Sequence, residues 1–284
     1  MFGTVCGGEQ NQAGDNTGAV NDRGGATVVG GLNNKATGQF SFIGGGRNNI
    51  SIEWGTVVCG GYLNQAKALT ATVGGGYNNI ASGAHSTVAG GNGNQANGPV
   101  ATVAGGYGSI ASGSHSAIGG GFANAASAES SAVAGGIDNQ AQGPVSTAGG
   151  GNGNIASGSE STVGGGVMNR SSGQGSTVPG GLLNEAGGDY SFAAGRRAKV
   201  RTAAEADDAD GDEGTFVWAD ATDAAFTSTG PNQFDVRAHG GVFFDTGSSP
   251  GVVLNATDRP LITRQHTPFT SGSYQGAGRY GLFM

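Results

Sequence analysis

Three sets of side chains in this sequence have types and spacings that chemistry could use. The first is the acidic run DADGDEGT, where Asp208, Asp210 and Asp212 alternate like the opening ligands of an EF-hand calcium loop. That loop needs glycine at its sixth position and a glutamate at its twelfth; the sixth here is Glu213 and no proper twelfth glutamate follows. Calcium is thus a weak candidate at these aspartates, and no other cofactor is expected. The second set is His85 and His115, which share a phase of a repeat two coils apart. By strand spacing that is roughly 10 Å, too far to ligate one metal, so they read as surface turn residues. The third is Tyr62, Tyr77 and Tyr107, which recur at one variable phase of the same repeat. Exposed aromatics make carbohydrate and protein contacts, so these three are the candidate ligand-binding residues, expected as one stripe of about 15 Å. The alternative is that they pack against a neighbouring chain.

Nothing else in the sequence reads as catalytic. The serines come with the repeat and none lies in a nucleophile-elbow context. The GGG and GNGN runs are followed by no lysine and no expected helix, so they are not phosphate loops. No paired-carboxylate cleft of the glycosidase kind is visible. Cys6 and Cys59 share a phase three coils apart, roughly 14 Å, beyond disulfide reach; they read as small residues in a crowded seam.

The element that must position all of these is a fifteen-residue phrase, clearest in TVGGGYNNIASGAHS, TVAGGNGNQANGPVA and TVAGGYGSIASGSHS. Aliphatic or alanine anchors recur every fifteen residues from Val28 to Ala193, and Val5 joins them across an eight-residue insertion within GDNTGAVNDRGGA, making thirteen copies. A short fixed period over two thirds of a chain is the mark of a solenoid. In the first twelve copies a glycine pair always follows the anchor, as in Gly90-Gly91, which predicts a bend with positive φ or a backbone that cannot accommodate a Cβ. In those twelve copies the sixth residue after the anchor is asparagine in all but one, where Ser109 replaces it. That asparagine either caps a turn or stacks amide to amide on the next coil. Two residues later the chain always has Ala or Ser, facing a tight interior. Two strands of four or five residues per coil are expected, in a parallel β-roll about 60 Å long.

Sixty glycines and 36% hydrophobic residues leave each coil a thin core, so a single roll should be marginal. The residue after each anchor is small in nearly every copy (Gly74, Ala89, Ala104) and points away from the coil interior, which fits a neighbouring chain. The net charge of −7 has no basic face for nucleic acid, and no stretch is apolar enough to span a membrane as a helix. The N-terminal MFGTVCGG is not a signal peptide, and the chain begins inside a repeat, so a segment of something longer is expected. The apolar end Leu282, Phe283 and Met284 reads the same way.

The phrase GGGYNNIASGAHSTVAGG and its relatives across residues 1–195 resemble the head repeats of trimeric autotransporter adhesins of the YadA type. The resemblance implies a left-handed parallel β-roll and a homotrimer. SFAAGRRAKV resembles the end of such a head, where that family has a basic neck, while TFVWADATDAAFTSTGPNQFDVRAHGGVFFDT resembles a small β segment of trimeric fibres, phage tail fibres included. The expected organisation is all-β: β-roll repeats over 1–195, a charged neck or linker over 196–214, and a small, incomplete C-terminal β module over 215–284. Arg196, Arg197, Lys199 and Arg201 could pair with the acidic block that follows them across converging chains.

The function expected is a non-enzymatic trimeric fibre or adhesin segment, extracellular on a cell or virion surface, attaching to a host-surface protein or glycan. Alternatives are a phage tail-fibre receptor-binding or glycan-cleaving spike, and binding of ice or a crystalline surface through threonine ranks such as Thr72, Thr87 and Thr102.

Overall fold

The computed structural model describes residues 3–14 and 24–242. The chain divides after His239 into two units. The first unit is an all-β parallel solenoid whose only helix among the described residues is the single turn Ala203–Ala206. Two parallel sheets run its length, one of sixteen strands and one of fourteen. From Thr27 to Ala186 the pairings join residues fifteen apart, as in Val73↔Val88↔Val103 and Ala81↔Ala96↔Ala111, and at the last repeat the spacing drops to fourteen, as in Gly181↔Gly195. At the N-terminus Val5 pairs directly with Val28, so the eight-residue insertion leaves the stack in register; the insertion itself includes residues outside those described.

Each coil is more sharply bent than the sequence suggests. Instead of strands of four or five residues, the repeats contribute strands of two, such as Thr87–Val88 and Gln95–Ala96. A third ladder runs through single bridges at the variable phase, from Leu32 through Tyr77 and Asn92 to Leu182. The cause is the frequency of positive φ. The second glycine of each pair is left-handed, and so are non-glycine residues at two further corners, including Asn78, Leu63 and Met168 at one and His85, Val100 and Val145 at the other. A β-branched residue in that conformation costs on the order of 1–2 kcal/mol, so Val100 and Val145 are held there by the coils on either side.

The interior holds one column of anchors, Val28 to Val217, and two columns of small residues, one through Ala36, Ser51 and Ala66 and one through Ala26, Ser41 and Thr56; among the described residues no fully buried side chain is larger than isoleucine. The second glycine of the pair fits under the next coil. A Cβ on Gly136 would strike the Gly151 carbonyl oxygen, and one on Gly83 would strike that of Gly98.

The asparagines are both turn caps and inter-coil links. Asn79 donates through Nδ2 to the carbonyls of Gly75, in its own coil, and Gly91, in the next, each at 2.8 Å. Its Oδ1 accepts the backbone N–H of Asn94 at 2.9 Å. One side chain thus serves three backbone groups at the bend, one of which, the Gly91 carbonyl, also accepts the Tyr77 N–H. Direct amide-to-amide bonds appear only at the C-terminal end of the column, where Asn154, Asn169 and Asn184 each donate to the preceding Oδ1 at 3.1 Å.

The stack does not stop at residue 195. Phe192–Arg196 pairs with Phe216–Ala219, which pairs with Phe234–Arg237, while Ala198–Val200 pairs with Glu185–Ala186 on one side and Phe226–Thr227 on the other. The expected linker over 196–214 is therefore partly solenoid, and residues 216–237 are further coils rather than a separate β module. The physical reason is that Ala193, Ala198, Val200 and Val217 are fully buried and continue the core although the fifteen-residue spacing is lost. The remainder of the expected module, residues 243–284, lies outside the described residues.

Ser109 is the weak point of the column: it accepts the N–H of Asn124 at 3.3 Å and has no amide with which to reach two carbonyls. Ser109→Asn should raise stability by about 1 kcal/mol, whereas Asn139→Leu should lower it by about 1–3 kcal/mol and Gln140→Leu by much less. Thermal melts of the three variants check the order.

Candidate functional site

The variable phase carries the exposed aromatic side chains singled out from sequence. Tyr62 and Tyr77 lie on adjacent coils with ring centroids 5.5 Å apart and planes tilted by 51°. Tyr107 does not join them, because Asn92 occupies the coil between. It stacks instead on Phe122, centroids 5.2 Å apart and planes within 4°. The expected single stripe is two aromatic pairs, one of them extended by the Arg47 guanidinium 5.7 Å from the Tyr62 ring centre. Tyr77, Tyr107 and Phe122 are about half exposed. In the Tyr107–Phe122 pair each ring covers one face of the other, which leaves ring edges and the Tyr107 hydroxyl for a partner. Phe122 and Arg47 share the repeat phase of the tyrosines, and that phase alone was the signal that could have marked them.

The acidic run does not form a calcium loop. Asp212 is fully buried and turned onto Arg201, which donates from Nε to Oδ2 at 2.8 Å and from an Nη to Oδ1 at 2.7 Å, while Ser228 Oγ also donates to Oδ2. Burial pushes the Asp212 carboxyl up, but the bonds from Arg201 and Ser228 outweigh it and hold the group below the ordinary carboxylate value. Asp208 accepts the N–H of Gly211 at 2.6 Å. Among the described residues no group of three or more His, Cys, Asp or Glu side chains could hold a metal ion.

The neck cations pair within the chain. Arg196 and Arg197 meet Asp223 at 2.9 and 2.6 Å, and Lys199 meets Glu205 at 2.5 Å and Glu185 at 3.2 Å. Arg237 meets Asp220 at 3.1 Å. The pairing across chains considered from sequence is not needed to neutralise them. They are brought together because Ala219–Asp223 and Thr202–Asp212 fold back over the last coils.

Asp220 also binds His239, whose Nδ1 lies at 2.6 Å, with Thr222 Oγ1 3.2 Å from that same nitrogen. A nucleophile relay needs the acid and the hydroxyl on opposite ring nitrogens, so this trio is a turn clasp in its geometry. The bonds from the His239 backbone and ring hold the Asp220 carboxyl far below its ordinary value. His85 and His115 stand at left-handed corners, bonded locally to Thr70 at 2.7 Å and Ser114 at 2.9 Å. Cys6 and Cys59 are free and exposed.

A second aromatic feature went unread in the sequence. Phe192, Phe216 and Phe234 stack at 4.9 and 4.8 Å along the face that carries threonine in the repeats. Beside them Trp218 is 38% exposed. It borders a hollow of about 390 Å³ lined by Gly195, Arg196, Ala219, Asp220 and Ala221. Alternation in TFVWAD shows the strand, but the partners of Trp218 come from a coil that the period does not reveal.

No protein-family model matches the chain, and no curated protein matches it significantly. No helix among the described residues is long and apolar enough to cross a membrane.

Asp212 and Asp235 should respond to substitution with opposite sign. The Asp212 carboxyl is lowered on folding, so its contribution is full above the ordinary carboxylate pKa of about 4 and is lost as pH falls through the lowered value. The Asp235 carboxyl is raised by burial and by the Asp212 charge, so its ionised form opposes folding at neutral pH. Asp212→Asn should lower Tm at pH 7 and Asp235→Asn should raise it, the second gap closing as acid protonates Asp235. Melts at pH 7 and along an acid series read both.

Proposed function

We propose that this chain is a stretch of a non-enzymatic, homotrimeric fibre that projects from a cell or virion surface and mediates attachment. Its coils are taken as left-handed, as the resemblance to YadA-type head repeats implies. The observation that carries the assembly is the first glycine of each pair. Gly90, Gly105, Gly135 and Gly165 have no positive φ, and a Cβ built on any of them meets nothing within 4 Å. The chain's own packing gives no reason for glycine there, in contrast to Gly91 or Gly136. At Gly45, Gly75, Gly120, Gly150 and Gly180 the pair's first glycine has φ of 150–158°, which supplies a local reason. Elsewhere the demand for an empty Cβ comes from outside the chain.

The glycine recurs once per coil in twelve copies, and in seven of them, Gly90 and Gly135 included, no positive φ accounts for it, so whatever presses on this rank carries backbone at the coil spacing or a multiple of it. A second copy of the rod has that spacing, and a globular partner does not. The small residues one position earlier, Ala89, Ala104 and Ala134, widen the same seam. Burying it would also relieve the thin core of a single roll. Three copies is the number the resemblance implies.

Attachment is assigned to the pairs Tyr62–Tyr77, in which Tyr62 is half-buried and Tyr77 exposed, and Tyr107–Phe122, with a host-surface protein or glycan as the partner class. Three copies around the fibre raise avidity without requiring a strong single contact.

Two glycine substitutions separate assembly from folding. Gly135→Ala should keep the β signature in circular dichroism yet reduce the mass by light scattering from about three times 27.6 kDa towards one. Gly136→Ala should lose the fold at that coil, because the left-handed backbone and the Gly151 carbonyl both exclude a side chain. If Gly135→Ala keeps its mass, the glycine rank is not the seam. Replacing Tyr62, Tyr77 and Tyr107 together by Ser should abolish attachment to the natural surface while the mass stays unchanged; normal attachment by that variant would remove the tyrosines from the site.

A further inference from the structure

A seam built from the coil repeat has a problem of register. Moving one rod along another by a single coil, about 4.8 Å, replaces every glycine pair with an identical one. The same holds for the small residues before the pair, none of which is larger than proline from Gly44 to Ala194. Repetitive, glycine-rich strands specify register weakly, so contacts along the repeats would permit a family of slipped assemblies.

The row of small residues ends at Trp218. The pairing Ala194↔Trp218↔Val236 places the indole in the same row, on the first coil beyond the repeats. It is the one place from Gly44 onward where that row of described residues carries an aromatic ring, and the ring remains 38% exposed. The hollow of about 390 Å³ beside it is floored by Gly195 and Ala219, which the pairing Gly181↔Gly195↔Ala219 places in line with the second glycine of the repeat pair, next to the indole's row. A knob and a socket thus lie at one height on one face, at the end of the surface that meets another copy in the trimer proposed for this chain. In a closed ring of parallel chains, each indole can enter its neighbour's hollow only when all chains are level.

We infer that Trp218 and the hollow at Gly195 and Ala219 form a register lock between copies of this chain. This inference rests on the trimer reading. A slip by one coil sets the indole against the glycine-pair surface of a neighbour and leaves the neighbour's hollow empty. Arg196 and Asp220 at its rim are held by Asp223 and by Arg237 with His239, so the socket walls are fixed before chains meet. The surface is therefore a self-recognition site, and its partner is a second copy.

The test compares wild type with Trp218→Val, which places in this row the residue already found one coil further on at Val236. Both are studied by light scattering and by methyl NMR with labelled isoleucines. Level chains are equivalent, so wild type should show a trimer mass and one resonance for each coil isoleucine, such as Ile43, Ile80 and Ile118. The variant should keep that mass while these resonances split, and Trp218→Phe should restore single resonances. A trimeric Trp218→Val with single resonances overturns the lock and leaves the trimer standing. A variant that folds, by circular dichroism, but no longer assembles also overturns it, since Trp218 then supplies affinity rather than register. Should the valine variant not fold, single resonances from a trimeric Trp218→Ala would overturn the lock, and split ones would support it. A monomeric wild type overturns the assembly reading and the lock with it.

Discussion

The spacing of about 4.8 Å between stacked backbones is the constraint on which this structure depends. A fifteen-residue coil must turn several corners within that thickness, and each corner removes backbone groups from the ladders. Glycine answers the steric part: at Gly91 or Gly136 no Cβ can be placed without striking the next coil's carbonyl. Asparagine answers the polar part, since one side chain such as Asn79 serves carbonyls in two coils and an N–H in the next. The core is then left with only one column of mostly valine and isoleucine anchors and two columns of small residues, chiefly alanine and serine. Hydrogen bonding at the corners thus carries much of the specificity that a larger hydrophobic core would supply elsewhere.

From that economy follows a division of labour on the surface. Phases that close the coil hardly vary, while the phase carrying Tyr62, Tyr77, Tyr107 and Phe122 is free to change and stands in the open. A rigid axial repeat also makes neighbouring side chains stack, which fixes ring orientation and leaves edges outward. The first glycine of the pair belongs to neither group. It is invariant like a closing residue, yet at positions such as Gly90 and Gly135 neither φ nor a neighbouring atom of the chain accounts for it, and this combination supports the proposed assembly.

Much of this was legible in the sequence because the repeat reports its own constraints. The anchors, the Ala or Ser position and the inward asparagines all appear where the period puts them, and the two roles considered for asparagine prove to be compatible. The period could not show that Val100, Val145 and Leu63 adopt left-handed backbone, because their types argue against it and only the stacked neighbours enforce it. Nor could it show that coils continue beyond Ala193. There the spacing lengthens to admit the excursion over Thr202–Asp212, and what persists is burial of Ala198, Val200 and Val217. The acidic run misled for a related reason: its ligand-like alternation is local, whereas Asp212 is held by Arg201 and Ser228 from other parts of the fold. The tyrosines shared a phase, but Asn92 between Tyr77 and Tyr107 decides which rings meet.

The most direct test of the central claim is a cryo-electron microscopy structure of the assembled protein, read at Gly90, Gly105 and Gly135. The account predicts backbone of another copy in van der Waals contact with each of these Cα atoms, repeating coil by coil along the rod. A structure in which these Cα atoms face solvent would contradict it.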